Sequence, residues 1–179
     1  MFKWKIINQN YTDFLRQNAD NRIPNTDYGK TKFKPFFGEL FRVDDLIYVT
    51  QVTSPKPRHL NIRDMADFCK IFDDNNKLIC CVNLNFMFPV PQKELNDLNY
   101  ARIDEFISFN SDLDKQKYIA LLKLELKKIN QSSVLRKAEK LYYRKINKPD
   151  DRISMRCLDF KNLEQYALEW EKSQNFITV

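Results

Sequence analysis

The sequence predicts an α+β fold, in which a compact, highly twisted antiparallel β-sheet is wrapped by helices concentrated in the C-terminal half. Strand patterns dominate the first half of the 179 residues, and amphipathic helix patterns dominate the second. The two kinds of element do not alternate regularly, which argues against a parallel βαβ sheet. We expect residues 1–179 to form one domain, because the strand-rich half alone is small and the helices need a surface to cover.

The chain begins with a predicted strand and a predicted helix. Apolar and basic residues alternate over residues 2–7, which is typical of a strand. Residues 10–18 carry Tyr11, Phe14 and Leu15 at helical spacing, and a preceding asparagine suits the N-cap.

A long polar loop and a hairpin are predicted next. Residues 19–32 are polar, and long loops in compact domains often carry function. Residues 33–43 and 46–52 have strand patterns, and the Asp44-Asp45 pair between them suits a tight turn.

A second hairpin is predicted over residues 68–73 and 77–84, which flank a DNN turn signal. One or two helical turns are expected before it, over residues 61–68. After it, Pro89 and Pro91 are expected to break the strand.

The remaining chain is mostly helical in pattern. A short helix is predicted near Gln92, and long amphipathic helices are predicted over residues 111–130, 132–147 and 159–173, with a returning strand over 150–160. The predicted inner faces comprise Tyr118, Leu121, Leu122, Leu126 and Ile129; then Val134, Leu135, Ala138, Leu141 and Tyr142; then Leu163, Tyr166, Ala167 and Trp170.

Composition excludes several classes of protein. Only two glycines are present, which excludes the Walker loop and the GxGxxG fingerprint. The four cysteines have no CxxC spacing and there is a single histidine, so no familiar zinc site is expected and the thiols are expected to be buried. No signal peptide is apparent, and no run approaches the ~18 apolar residues of a membrane span, so a cytoplasmic protein is expected.

The charge favours a polyanionic partner. The net charge is +6, and eleven basic residues lie between positions 115 and 148, opposed within that segment only by Glu125 and Glu139. Such an imbalance favours a nucleic-acid surface. A solvated helix face is the alternative.

The segment VTQVTSPKPRH (49–59) combines hydroxyls, cations and prolines. RNA cleavage without a metal requires that the attacking 2′-hydroxyl lose its proton, that the charge on the phosphate oxygens be stabilised and that the leaving 5′-oxygen be protonated. Lys56 offers a positive charge, and Thr53 and Ser54 offer hydrogen-bond donors on a backbone that two prolines restrict. The same residues also suit an ordinary stiff turn. A single His59 excludes a two-histidine ribonuclease mechanism.

Four segments together resemble the ToxN/AbiQ family of endoribonuclease toxins from type III toxin–antitoxin systems, also known as phage abortive-infection proteins. They are IPNTDYG (23–29), KPFFGELF (34–41), VTQVTSPKPRH (49–59) and VNLNFMFPVP (82–91). The likeness covers most of the chain, is loose beyond about residue 145, and is greatest to the AbiQ branch.

The resemblance implies a metal-independent endoribonuclease with no cofactor and a fold related to MazF-like toxins. It implies cleavage by 2′-hydroxyl attack, giving 2′,3′-cyclic phosphate and 5′-hydroxyl ends. The implied partners are a repeated antitoxin RNA that folds as a pseudoknot, its precursor, and cellular and phage RNA. Relatives form closed rings with their RNA, and whether this chain does so stays open.

The resemblance also implies a set of site residues. The catalytic positions are Tyr28, Lys34, Thr53, Ser54 and Lys56, and further RNA contacts are expected at Lys30, Lys32, Arg58, His59, Lys115, Lys123 and Lys127. Lys56 is assigned to phosphate charge stabilisation and proton transfer to the leaving oxygen, and Thr53 and Ser54 to orientation of the phosphate. A lysine acting as general base needs a pKa lowered by burial or by neighbouring cations.

Two alternatives to an enzyme stay open from the sequence. One is an RNA-binding protein without catalysis that uses the same basic face. The other is a protein-interaction adaptor whose lysine-rich helices are simply solvated.

Overall fold

A computed structural model describes residues 1–25 and 33–176 of the chain. The strands in these ranges are β1 (Lys3–Ile7), β2 (Phe36–Gly38), β3 (Arg42–Val43), β4 (Leu46–Thr53), β5 (Phe68–Phe72), β6 (Leu78–Asn83), β7 (Phe88–Pro91) and β8 (Leu95–Asp97). The α-helices are α1 (Gln9–Asn18), α2 (Pro57–Asn61), α3 (Asp112–Asn130), α4 (Val134–Asn147) and α5 (Phe160–Phe176). The predicted α+β class, with an antiparallel sheet and most helices in the C-terminal half, is confirmed.

Strand β4 is the central strand of the sheet and pairs with four of the other described strands. The strand order is β5-β6-β4-β2-β1-β8, and β3 and β7 also pair with β4. The first half of β4 pairs with β3 and β7, its middle with β2, and its last residues Val52 and Thr53 with β6. All these pairings are antiparallel. Thr53 is the last residue of β4, so it lies where the chain leaves the sheet.

Both predicted hairpins are present. Asp44 turns the chain between β3 and β4, and Asn76 turns it between β5 and β6; both have positive φ, at 51° and 59°. Asp and Asn adopt this left-handed conformation more readily than most residues, which explains the turn signals in the sequence.

The expectation that Pro89 and Pro91 break the strand is wrong, because both lie within β7. Pro89 pairs with Tyr48 and Pro91 with Leu46. The carbonyl of Pro89 accepts a hydrogen bond from the Tyr11 hydroxyl at 2.7 Å rather than from a ladder partner. A proline whose backbone faces away from the paired strand costs the ladder no hydrogen bond.

Two other elements differ from the prediction. The helical turns expected over residues 61–68 occur earlier, in α2, where Pro57 occupies the first turn and suits that position. The returning strand expected over 150–160 is absent from those residues, which instead form a short 3₁₀ helix at Ser154–Arg156. The Asp151 carboxylate accepts the backbone N–H groups of Ile153 and Ser154 at 2.8 and 2.9 Å, which stabilises a helical turn there.

The helices pack on the sheet through a shared core. Buried residues from the strands and from α1, α3, α4 and α5 belong to one apolar cluster. Within it, Glu164 of α5 accepts hydrogen bonds from the Tyr48 and Tyr142 hydroxyls at 2.8 and 2.7 Å, which joins α5 to β4 and α4.

Two side chains assigned to the inner helix faces are instead exposed. Leu121 and Leu135 are 41% and 43% exposed. In α3 the buried positions are Leu122, Glu125 and Ile129, so the stripe follows a neighbouring row of the helix and includes an acid. The cysteines are as expected: all four are free and buried.

Candidate active site and RNA-binding cavities

Two of the expected catalytic residues line one cavity where β4 leaves the sheet. This first cavity, about 220 Å³ in volume, is lined by Lys34 and Thr53 together with residues that include Arg22, Gln51, Asn83 and Phe86. Residues on either side of the strand end therefore reach one concave space. Lys34 and Thr53 are half-buried, which leaves both within reach of a ligand.

Gln51 fixes the position of Lys34 beside β4. Its side-chain amide donates hydrogen bonds to the carbonyl of Lys34 at 2.8 Å and to the carbonyl of Asn25 at 2.7 Å. Gln51 is buried and lies two residues before Thr53. One side chain thus ties residues 25 and 34 to the strand that carries the expected hydroxyls.

Ser54 and Lys56 follow β4 directly and are both exposed. Lys56 is the N-cap residue of α2, and its ammonium forms no ion pair with a described residue. Neither residue lines the cavity, but both follow Thr53 within three residues of the chain and are open to solvent, so both are accessible to a phosphate group. The arrangement meets the chemical need for charge stabilisation and hydrogen-bond donation at one linkage.

The buried His59 stabilises the backbone turn at Lys56 by two hydrogen bonds. The backbone N–H of Lys56 donates to His59 Nδ1 at 3.2 Å, and the backbone N–H of His59 donates to the Lys56 carbonyl at 2.8 Å. The His59 ring is buried, packs edge-on against Phe68, and lies 3.5 Å from the Cys81 sulfur. Burial, helped by the nearby charges of Arg58 and Lys56, lowers the pKa of His59 below its usual value.

A second cavity, about 380 Å³ in volume, adjoins the first. It shares Thr53, Asn83 and Phe86 with the first cavity, and Arg58 and Arg156 contribute cations to its lining. Arg156 is held by the buried Asp67 carboxylate at 3.0 Å. The two cavities therefore meet at Thr53, Asn83 and Phe86.

Of the other expected site residues, some lie outside the described ranges, and the rest differ in whether they line a cavity. Tyr28, Lys30 and Lys32 lie outside the described residues, and their roles stay predictions. Arg58 lines the second cavity. The three lysines expected on the first long helix lie on α3 and line neither cavity: Lys115, Lys123 and Lys127.

The positive charge of the helical pair is partly neutralised by acids from outside it. Four of its cations form ion pairs with such acids: Lys115 with Asp104, Lys128 with Asp74, Lys137 with Asp64, and Arg144 with Asp151. A charge count within the segment could not reveal these partners, because the fold brings them from other elements. Lys127 is exposed, and the Lys123 ammonium lies 5.4 Å from the centre of the Tyr100 ring.

Sequence reasoning missed Gln51, Asn83 and Phe86 as site residues. Gln51 gave a signal, since a polar residue inside an apolar strand needs a hydrogen-bond partner. Asn83 and Phe86 lie in the segment VNLNFMFPVP, which was noted for its resemblance but given no chemical role.

The described ranges offer neither a cluster of metal-ligating side chains nor a membrane-spanning helix. No group of three or more His, Cys, Asp or Glu side chains in residues 1–25 and 33–176 is placed to hold a metal ion. In the same part of the chain, no helix is both long and apolar enough to cross a membrane.

Comparison with known proteins identifies relatives over most of the chain. Residues 3–168 match the family model described as toxin ToxN of type III toxin–antitoxin systems. The chain is 28% identical over 176 residues to the endoribonuclease ToxN of Bacillus thuringiensis subsp. kurstaki, covering 95% of this chain and 84% of that protein. It is 26% identical over 126 residues to the endoribonuclease ToxN of Pectobacterium atrosepticum, covering 62% of this chain and 73% of that protein.

Solved structures are similar over nearly the full length. One comes from work on selective toxin inhibition by a non-coding RNA pseudoknot; it has a TM-score of 0.73 and 26% identity and covers 95% of this chain and 98% of that one. AbiQ, a lactococcal anti-phage endoribonuclease of a type III system, has a TM-score of 0.75 over 96% of this chain and 99% of its own. AbiQ is 18% identical, so this likeness supports the fold alone.

Proposed function

The chain belongs to the ToxN toxin family of type III toxin–antitoxin systems, and we propose that it is a metal-independent endoribonuclease that cuts RNA at the end of strand β4. The observation that carries the proposal is the cavity lined by Lys34 and Thr53, together with the exposed residues Ser54 and Lys56 that follow Thr53 in the chain. The relatives named endoribonuclease ToxN give the reaction class.

The proposed reaction is an attack of the 2′-hydroxyl on the adjacent phosphorus. The 2′-hydroxyl gives up its proton to a base, either a neutral lysine of the site or a water molecule. The bond from the 2′-oxygen to phosphorus forms as the bond to the 5′-oxygen breaks, which leaves a 2′,3′-cyclic phosphate and a 5′-hydroxyl. The Lys56 ammonium stabilises negative charge on the non-bridging oxygens and donates a proton to the departing 5′-oxygen. The hydroxyls of Thr53 and Ser54 orient the phosphate by hydrogen bonds.

Lys34 is proposed to place a second cation on the opposite side of the phosphate. The hydrogen bond from Gln51 to the Lys34 carbonyl supports this, because it fixes the lysine backbone beside β4. Tyr28 is proposed to contact the phosphate or the 2′-hydroxyl. Lys30, Lys32 and Arg58 are proposed to bind neighbouring phosphates, and His59 to support the Lys56 turn from within.

The proposed partners are RNAs. One solved relative comes from work on a toxin inhibited by an RNA pseudoknot, and we extend this inhibitor class, as a repeated antitoxin RNA, to the present chain. Lys115, Lys123 and Lys127 on α3 are proposed to contact phosphates of a long RNA ligand, by interactions that weaken with salt. The reaction is placed in the cytoplasm, with cellular and phage RNA as substrates and residues 1–179 acting as one domain.

Two alanine variants test the site. Purified Lys56→Ala and Ser54→Ala proteins are compared with wild type on a single-stranded RNA of mixed sequence, under single-turnover conditions. Each is expected to cleave about 10²–10³-fold more slowly, the typical effect of removing one charge-stabilising donor. Lys93→Ala, which removes an exposed lysine of a 3₁₀ helix that lines neither cavity, is the matched control and is expected to cleave normally.

Undiminished cleavage by both variants would remove these residues from the reaction. RNA binding by the wild-type protein without any cleavage would instead favour the non-catalytic RNA-binding alternative.

A further inference from the structure

Asn83 ends β6 at the point where the two cavities meet. Its backbone carbonyl accepts a hydrogen bond from the Thr50 hydroxyl at 3.1 Å, and it pairs with Phe68 of β5. The residue is therefore fixed between β4 and β5. It lines both cavities, as Thr53 does.

The side-chain amide of Asn83 is half-buried and makes no hydrogen bond with any residue in the described ranges. The nearby buried Gln51 differs, because its amide is bonded to two carbonyls. Among the described residues no buried side-chain polar atom lacks a partner, so the unbonded Asn83 amide is open to solvent. The Asn83 amide thus has one donor group and one acceptor group available to a ligand.

Phe86 provides an aromatic face beside this amide. It is half-buried and lines both cavities. Most of the molecule's other core aromatics pack ring against ring, yet among the described residues the Phe86 ring has no aromatic partner. It follows Asn83 by three residues, across the 3₁₀ turn Leu84–Phe86, so the backbone holds the two side chains near each other.

We propose that Asn83 and Phe86 form a nucleobase subsite that selects the base of one nucleotide flanking the cleaved linkage. The base stacks on Phe86, and the Asn83 amide hydrogen-bonds to its edge. Proteins recognise unpaired RNA bases by this combination of aromatic stacking and edge contacts. The subsite rests on the proposed endoribonuclease function and adds to it the part of the site that reads sequence.

The second cavity has room for one flanking nucleotide. The second cavity, at about 380 Å³, is within the size range of small-molecule sites, ~300–1,000 Å³. Arg58 in its lining offers a charge for the next phosphate, whereas Arg156 there is already paired with Asp67. A phosphate at Thr53 therefore places one neighbouring base at the junction, against Asn83.

The test is a cleavage-site profile. Wild type, Asn83→Ala and Asn83→Asp are incubated with single-stranded RNA randomised over several positions, and the new ends are sequenced. Wild type is expected to prefer particular bases at a position next to the cut. Asn83→Ala is expected to reduce that preference about tenfold at this one position, the typical size of discrimination by a bidentate contact. Asn83→Asp, which replaces the amide donor by an acceptor, is expected to change which base is preferred there.

Phe86→Leu tests the stacking surface separately, because leucine keeps the apolar packing and loses the ring. Its expected effect is a KM at least several-fold higher, with little change in kcat. Asn96→Ala, which alters an exposed asparagine on β8, is the control and is expected to keep the wild-type profile. Thermal unfolding of each variant checks that the fold is retained.

The outcomes separate this inference from the proposed function. A wild-type protein that cuts RNA, together with folded Asn83 variants that keep its profile, would overturn the subsite and leave the endoribonuclease proposal intact. A uniform loss of rate at every sequence would also overturn it, because it would place Asn83 on the backbone rather than on a base. An absence of cleavage by the wild type would contradict the proposed function itself.

Discussion

At the residue scale, His59 shows how a buried side chain can serve a site by fixing the backbone of its neighbour. The sequence singled it out as the only histidine and as a possible RNA contact. The structure buries it and aims its Nδ1 at the Lys56 backbone. Its position in the motif was therefore visible, but its direction was not, because direction depends on Phe68 and Cys81, which other strands supply.

His59 makes stability depend on pH in a defined direction. Its pKa is lowered by burial, so below pH ~6.5 the unfolded chain binds a proton that the folded chain does not. This contribution to stability is therefore present above that pH and is lost as the pH falls. His59→Phe keeps the ring contact but removes both the titration and the hydrogen bond to Lys56, which costs about 1 kcal/mol.

The measurement is urea unfolding of both proteins between pH 5 and 8. The wild type is expected to be more stable than His59→Phe at pH 8, and this advantage is expected to shrink towards pH 5. An advantage that is constant with pH would show that His59 does not titrate in this way.

At the element scale, periodicity predicted the helices better than it predicted which residues they bury. The sequence predicts an apolar inner face for α3 that does not include Glu125. The structure buries Glu125 between Leu122 and Ile129 and exposes Leu121. Which of two neighbouring rows of a helix becomes buried depends on the surface against which the helix packs. The sequence of the helix alone does not contain that information.

Glu125 gives α3 a pH dependence opposite to that of His59. Burial raises the pKa of Glu125 to about 7. Between pH ~4.5 and that value the folded chain keeps a proton that the unfolded chain releases, so stability falls as the pH rises through this range. A shift of this size corresponds to at most roughly 3 kcal/mol.

Glu125→Gln removes the titration and retains the shape of the side chain. The variant is expected to be more stable than the wild type at pH 8 and similar to it near pH 4.5, as measured by urea unfolding. Glu139→Gln, on the exposed face of α4, is the control and is expected to leave the pH profile unchanged. An equal gain in stability at both pH values would refute a titrating Glu125.

At the scale of the whole molecule, the sequence predicted the strands and helices but not how the strands pair with one another. The fold class, both hairpins and the three long helices are confirmed. The role of β4 as the common partner of β2, β3, β6 and β7 was not predicted, because pairing between distant strands leaves little local signal. The excess of basic residues between 115 and 148 was visible, whereas the four acids that pair with them were not.

Contacts between distant parts of the chain also explain why only part of the site was predicted. The TSPK segment was identified from its own residues and from family resemblance. The residues that border it in space, Gln51, Asn83 and Phe86, come from two strands and a turn. Their part in the site depends on β6 lying next to the end of β4.

In the proposed reaction the RNA's own 2′-hydroxyl cuts the strand at the end of β4, without a divalent ion. The most direct measurement uses a short RNA with a single cleavage site, in EDTA, alongside the same RNA with one 2′-deoxy substitution on the 5′ side of the cut. We predict that the unmodified RNA is cleaved to 2′,3′-cyclic phosphate and 5′-hydroxyl ends, identified by mass, and that the substituted RNA stays intact. Cleavage of the substituted RNA at the same linkage, or cleavage that stops in EDTA, would contradict the account.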